Sequence, residues 1–133
     1  MRTVFLDTVG LLALIDAADQ WHNVAESAWA AVSRQPCRFL TTAHVLLECG
    51  NAAARTTYRG DIVALRNELS QFGNLIAPTE ADDALAWDAY LRGESAQAGI
   101  VDHISFVVMR RLGIHEAFTN DRHFAAAGFT VLF

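Results

Sequence analysis

Five short strand-like runs, separated by stretches with helical spacing, constrain this chain more than any other feature of its sequence. The first, "TVFLD", shows no alternation of apolar and polar residues, the mark of a strand buried on both faces, as in parallel sheets. "RFLTT", "NLIAPT", "HEAFTN" and "FTVLF" follow at intervals. Between them, Val24, Ala25, Ala28, Trp29 and Val32 recur after Trp21 with the spacing of one helical face. Further helices are predicted from about Ala43 to Tyr58, from Gly60 to about Phe72, over "EADDALAWDAYLRGE" and over "DHISFVVMRRLG", with a short helical turn in "DRHFAAAG". "GESAQAG", Gly93 to Gly99, reads as a loop. Strands alternating with helices throughout predict a doubly wound α/β fold, a parallel sheet with right-handed crossovers. A chain of 133 residues supports one core, so a single domain over 1–133 is expected.

Composition narrows the chemistry. No apolar run reaches the length of a membrane span, and Asp7 falls where a secretory leader would continue, so a soluble, cytoplasmic protein without a membrane role is expected. Cys37 and Cys49 lack metal-ligand spacing and read as structural thiols. All ten basic residues are Arg; the absence of Lys excludes a P-loop NTPase and a Schiff-base enzyme and weighs against a phosphoryl-aspartate receiver that relies on a lysine. A net charge of −5 argues at first against a nucleic-acid partner.

In a parallel α/β sheet, ligands bind beyond the carboxyl ends of the strands, and four acids fall there. Asp7 ends the first strand, Glu48 lies about two turns into the helix after the second, Asp102 opens a helix after a glycine-containing loop, and Asp121 follows the fourth strand. Asp7, Asp102 and Asp121 each also suit a helix N-cap. Glu48 stands among Leu46, Leu47 and Cys49, so a buried carboxylate in need of a partner is expected there. Four carboxylates in one place repel one another, and a hard cation such as Mg²⁺ or Mn²⁺ relieves that repulsion with oxygen ligands. The four acids carry most of the net negative charge, which removes most of the objection to a nucleic acid.

Four segments together, "FLDT", "TTAHVLLECGNAAAR", "VDHISFVVMRRLGI" and "AFTNDRHFAAAGF", resemble the PIN-domain ribonucleases, and closely the VapC-type toxins of bacterial toxin–antitoxin pairs. The resemblance spans essentially the whole chain. It implies a five-stranded parallel sheet flanked by helices and a metal-dependent endoribonuclease that uses Mg²⁺ or Mn²⁺. Asp7, Glu48, Asp102 and Asp121 match the family's acidic quartet, as catalytic and metal-binding residues. It implies an RNA substrate, products with a 5′-phosphate and a 3′-hydroxyl, a cognate antitoxin seated on the early helices, and a homodimer. Val9 departs from the small hydroxyl residue common in the family after "DT". The alternative is a PIN-like domain that binds RNA or protein with an inactive site.

Polar neighbours complete the expectations. Thr8, Asn51, Ser105 and Thr119 are candidates for hydrogen bonds that support the acids, and Arg55, Arg59, Arg110, Arg111 and Arg122 for phosphate contacts. His44, His103 and His123 lie near quartet members in sequence but are not needed by an oxygen-rich site; His22 and His115 read as surface residues. Trp21, Trp29 and Trp87 follow helical periodicity and suit packing or an interface, Trp29 in particular the antitoxin surface, and Asp82, Asp83 and Asp88 suit a solvated helix face.

Overall fold

A computed structural model describes residues 1–133. The chain runs β1 (Arg2–Leu6), α1 (Thr8–Ile15), α2 (His22–Val32), β2 (Cys37–Thr42), α3 (Ala43–Ala53), α4 (Arg59–Gln71), β3 (Leu75–Ile76), α5 (Glu80–Leu91), a single turn α6 (Glu94–Gln97), α7 (Ile100–Leu112), β4 (Glu116–Phe118), α8 (Arg122–Ala126) and β5 (Thr130–Val131). The five strands are parallel and lie in the order β3-β2-β1-β4-β5. β1 pairs with β2 on one side (Val4 opposite Phe39) and with β4 on the other (Phe5 opposite Ala117). Val4, Phe5 and Leu6 are buried, as the unbroken apolar run predicts for a strand covered on both faces.

The core gathers around the aromatic side chains of Phe5, Phe106, Phe118 and Phe124, all fully buried. Phe106 and Phe124 meet edge to face at 4.9 Å, which joins α7 to α8. Chain order reverses between β1 and β4: β2 and β3 build outward on one side, β4 and β5 on the other. A crevice therefore opens beyond the carboxyl ends of β1 and β4, where α1 and α8 also begin.

Five local features differ from the sequence expectations. "TVGLLALI" forms α1, which periodicity cannot show because almost every position is apolar. The predicted helix over 43–58 breaks after Ala53, and α4 starts at Arg59. The 93–99 loop holds a left-handed turn, with Ser95, Ala96 and Gln97 at φ of 53°, 57° and 60°. Asp82, expected on a wet face, is buried: it completes a capping box with Thr79 and accepts two hydrogen bonds from the Arg111 guanidinium, at 3.0 and 2.8 Å. His22 is also drawn inward, its ring donating from Nδ1 to the Ala13 carbonyl at 2.8 Å. Trp21 and Trp87 stand about half exposed, whereas Trp29 stacks on Phe39 at 4.4 Å and meets Phe118 edge-on. No helix is long and apolar enough to cross a membrane.

The placement of α1 rests on Gly10. A Cβ at this position would lie 1.9 Å from the Phe118 carbonyl oxygen, so α1 reaches the end of β4 only because the side chain is absent. At Gly50, exposed in α3, a Cβ would meet nothing within 4 Å. Gly10→Ala should therefore destabilise the protein by about 3 kcal/mol, and Gly50→Ala should stabilise it by about 0.5–1 kcal/mol, as chemical denaturation of both variants would show.

Candidate active site

Asp7 holds the N-cap position of α1, with φ −97° and ψ 155°, yet its side chain caps nothing. It is 2% exposed and points into the crevice, where Oδ2 accepts a hydrogen bond from the Thr119 hydroxyl at 2.8 Å. The same hydroxyl oxygen accepts the Asp121 backbone N–H at 3.0 Å. One buried threonine at the end of β4 thus ties the acid after β1 to the backbone of the acid after β4. Asp121 is a true N-cap of α8, accepting from the His123 backbone N–H at 2.9 Å.

Asp102 does not cap α7, a position taken by Gly99; it sits on the third residue of the helix, half-buried, without a side-chain cap bond. The candidate ligand atoms of Asp102, Asp121 and His123 lie within 4.8 Å of one another. Glu48 corrects the expectation of a buried carboxylate. The inward face of α3 carries Val45, Leu46, Cys49 and Ala53, which leaves position 48 exposed beside Leu47. Its carboxylate is held instead by Thr8, whose hydroxyl donates to Oε1 at 2.7 Å.

The electrostatics follow from burial among like charges. Burial pushes the Asp7 carboxyl up to about 7; the Thr119 hydrogen bond opposes the shift, and the charges of Asp102 and Asp121 add to it. Asp102 rises to about 6, again through burial first and then through Asp121 and Glu48. No arginine lies within ion-pair distance of any of the four acids. A donor set dominated by carboxylate oxygens, with Asp7 and Asp102 raised and only the His123 imidazole within ion-pair distance, fits a hard divalent cation, to which Asp7, Asp102 and Asp121 would offer oxygens.

The remaining candidates divide. The Thr8 hydroxyl donates to Glu48 and the Thr119 hydroxyl to Asp7. Ser105 is buried and donates to the Val101 carbonyl within α7, and Asn51 is exposed and makes no hydrogen bond to Glu48. Arg111 is committed to Asp82, while Arg110 donates to the Ala127 carbonyl at 2.9 Å and lies over Phe129, so these two are corrected from phosphate contacts to structural roles. Arg55, Arg59 and Arg122 are exposed and without acidic partners; Arg55 lies in the turn after α3 rather than on the helical face of Arg59, and Arg122 stands between Asp121 and His123. His44 keeps an unpartnered Nδ1, and His103 packs between Tyr90 and Phe106, away from the acids. His123 is the residue that sequence reasoning left aside: its Nδ1 lies 2.7 Å from Asp121 Oδ1. The available signal was its place two residues after a capping Asp, where chain and side chain both turn back toward the cap.

Comparison with known proteins supplies the family. The chain is similar over 127 residues to the 23S rRNA-specific endonuclease VapC20 of two Mycobacterium tuberculosis strains, with 33% identity and 95% of each chain covered. The crystal structure of Mycobacterium tuberculosis VapC20, a sarcin–ricin-loop-cleaving toxin, matches with a TM-score of 0.80 at 30% identity over 96% of both chains. FitAcB from Neisseria gonorrhoeae shares the fold, with a TM-score of 0.62 at 16% identity over 98% of this chain and 96% of that one. No family model matches the sequence. Identity of this order along nearly the full length, on the same five-stranded parallel sheet, leads to one assignment: the chain belongs to the VapC-type toxins of the PIN-domain ribonucleases.

Proposed function

We propose that this toxin is an endoribonuclease dependent on a divalent cation, Mg²⁺ or Mn²⁺, and that it acts on structured ribosomal RNA in the cytoplasm. The observation that carries this reading is the convergence of Asp7, Asp102 and Asp121 on the crevice with no arginine paired to them and only the His123 imidazole beside Asp121. The substrate class comes from one relative, VapC20, which is named as 23S rRNA-specific and, in its crystal structure, as a sarcin–ricin-loop-cleaving toxin.

Bound there, a divalent cation supplies a water of lowered pKa and polarises a phosphoryl oxygen. The protein's own residues do the rest. Asp7, fixed by Thr119, and Asp102, on the first turn of α7, form the floor of the site. Glu48 is exposed and anchored through Oε1, which leaves Oε2 to accept a proton from the attacking water. Arg122, next to Asp121 in the chain, and the exposed Arg55 and Arg59 offer bidentate donors to RNA phosphates.

The partners follow from two surfaces. A groove lined by Leu6, Leu14, Trp29, Leu65 and Phe72, with Asp61 and Glu68 at its margin, suits an apolar, basic segment of the cognate antitoxin. Exposed Leu85, Trp87 and Leu91 on α5 suit a second copy in a homodimer.

Two experiments test the reading. Purified protein with Mn²⁺ should cleave a 23S rRNA fragment carrying the sarcin–ricin loop, chelator should abolish cleavage, and Asp102→Asn should reduce it by roughly 100-fold or more. Retained RNA binding without cleavage in any metal would instead establish an inactive binding domain. The second experiment is thermal unfolding against pH. Asp7 binds its proton more tightly folded than unfolded, so its contribution to stability is complete below the usual carboxylate range and is lost as pH rises toward about 7. Without metal, Tm should fall by at least about 5 °C between pH 5 and pH 8. Mn²⁺ should restore most of that loss at pH 8 and have little effect at pH 5, because it competes with the proton for the same carboxylates.

A further inference from the structure

Asp121 is held more completely than the other acids of the site. Its backbone N–H donates to Thr119 Oγ1, and its Oδ1 faces two nitrogens of one residue, the His123 backbone N–H at 2.9 Å and the ring Nδ1 at 2.7 Å. A ring nitrogen at that distance from a carboxylate oxygen, beside an amide donor on the same oxygen, must carry a proton, which fixes the imidazole with hydrogen on Nδ1. Two donors on Oδ1 leave Oδ2 as the oxygen free to meet a cation. Asp102 has no side-chain hydrogen bond, and Asp7 has one from a side chain, through Thr119. The Asp121 and His123 side chains are 17% and 27% exposed, so protein atoms rather than water surround most of the pair.

We propose that His123 is a positioning residue of the nuclease centre, its Nδ1–H orienting the Asp121 carboxylate so that Oδ2 is presented to the metal beside Asp102. This rests on the metal-dependent reading above and adds to it a histidine that acts through an acid rather than as a ligand. A carboxylate already fixed at one oxygen loses less rotational freedom when it binds a cation, so removal of the ring weakens metal binding even though every ligand oxygen remains. The backbone hydrogen bond to Oδ1 survives substitution of the side chain by Ala, Asn or Gln, so α8 keeps its cap.

The two ring nitrogens can be separated by mutation. The asparagine amide nitrogen lies as many bonds from Cα as Nδ1, and the glutamine amide reaches the place of Nε2. Calorimetric titration with Mn²⁺ should show binding about tenfold weaker in His123→Ala than in the wild type, recovered to within about threefold in His123→Asn, and as weak in His123→Gln as in His123→Ala. The RNA cleavage rate should follow the same order, with KM for RNA unchanged. Recovery by Gln and not by Asn would make Nε2 a direct ligand and overturn the proposal, as would unaltered Mn²⁺ binding in His123→Ala. Failure of the wild type to bind Mn²⁺ would fall on the nuclease reading alone. In that case ¹⁵N spectra of the metal-free protein decide: hydrogen on Nδ1, lost in Asp121→Ala, supports the pairing, and a ring protonated only on Nε2 overturns it.

Discussion

The 2.8 Å hydrogen bond from the Thr119 hydroxyl to Asp7 Oδ2 joins the ends of the two strands between which the sheet reverses its order. A buried carboxylate is costly in a low-dielectric setting, and one hydroxyl does not compensate for the water it has lost. The fold accepts this cost at the point where its topology already opens a crevice. Gly10 is part of the same arrangement, since α1 reaches the Phe118 carbonyl at the end of β4 only without a side chain. Because Thr119 is also bonded to the Asp121 backbone, displacement of β4 relative to β1 would disturb two acids together. The geometry of the site is thus set by strand pairing and helix packing rather than by a mobile loop.

The distribution of arginine fits this arrangement. Arg2 pairs with Glu116, Arg92 with Asp88 and Glu94, and Arg111 with Asp82, and none of these acids belongs to the quartet. The pairs at Arg2 and Arg92 are largely exposed and contribute little to stability, while Arg111 neutralises a buried capping carboxylate and joins α5 to α7. An arginine inside the crevice would remove the repulsion among the acids permanently and would compete with any cation for the same oxygens. Its absence preserves a charge imbalance that a divalent ion can answer. Arg122, Arg55 and Arg59 remain free at the surface, where fixed positive charge would assist a polyanion rather than displace a metal.

Much of this was legible in the sequence because it depends on local pattern. The unbroken apolar run before Asp7 reads correctly as a central strand, and the strand–helix alternation gives the five parallel strands. α1 was hidden because "TVGLLALI" is apolar at nearly every position, so neither a period of two nor one of 3.6 stands out. Glu48 was misread because apolar neighbours in sequence do not fix which face of a helix is buried; that face is chosen by what packs on it. Asp82 failed in the opposite direction, a charge in an acidic run that is buried because Arg111 arrives from 29 residues away. Pairings of that range leave no trace in local periodicity. The carboxylates after β1 and β4 were the easier case, since in a parallel sheet the end of a strand is already a place in space.

The difference between Glu48 and the other acids suggests how the site divides its work. Asp7 lies deepest and Asp102 and Asp121 are half-buried, whereas Glu48 stands at the solvent side and is steadied by Thr8 at a single oxygen. Groups that hold a cation benefit from fixed positions, since any freedom they keep must be lost on binding. A group that takes a proton from an attacking water needs one oxygen free and access from the side on which substrate arrives. Under the proposed mechanism, the anchoring of Glu48 through Oε1 alone leaves its other oxygen for that task. Val9, in the position of a small hydroxyl residue, is partly exposed, and the hydroxyl that reaches Glu48 belongs to Thr8.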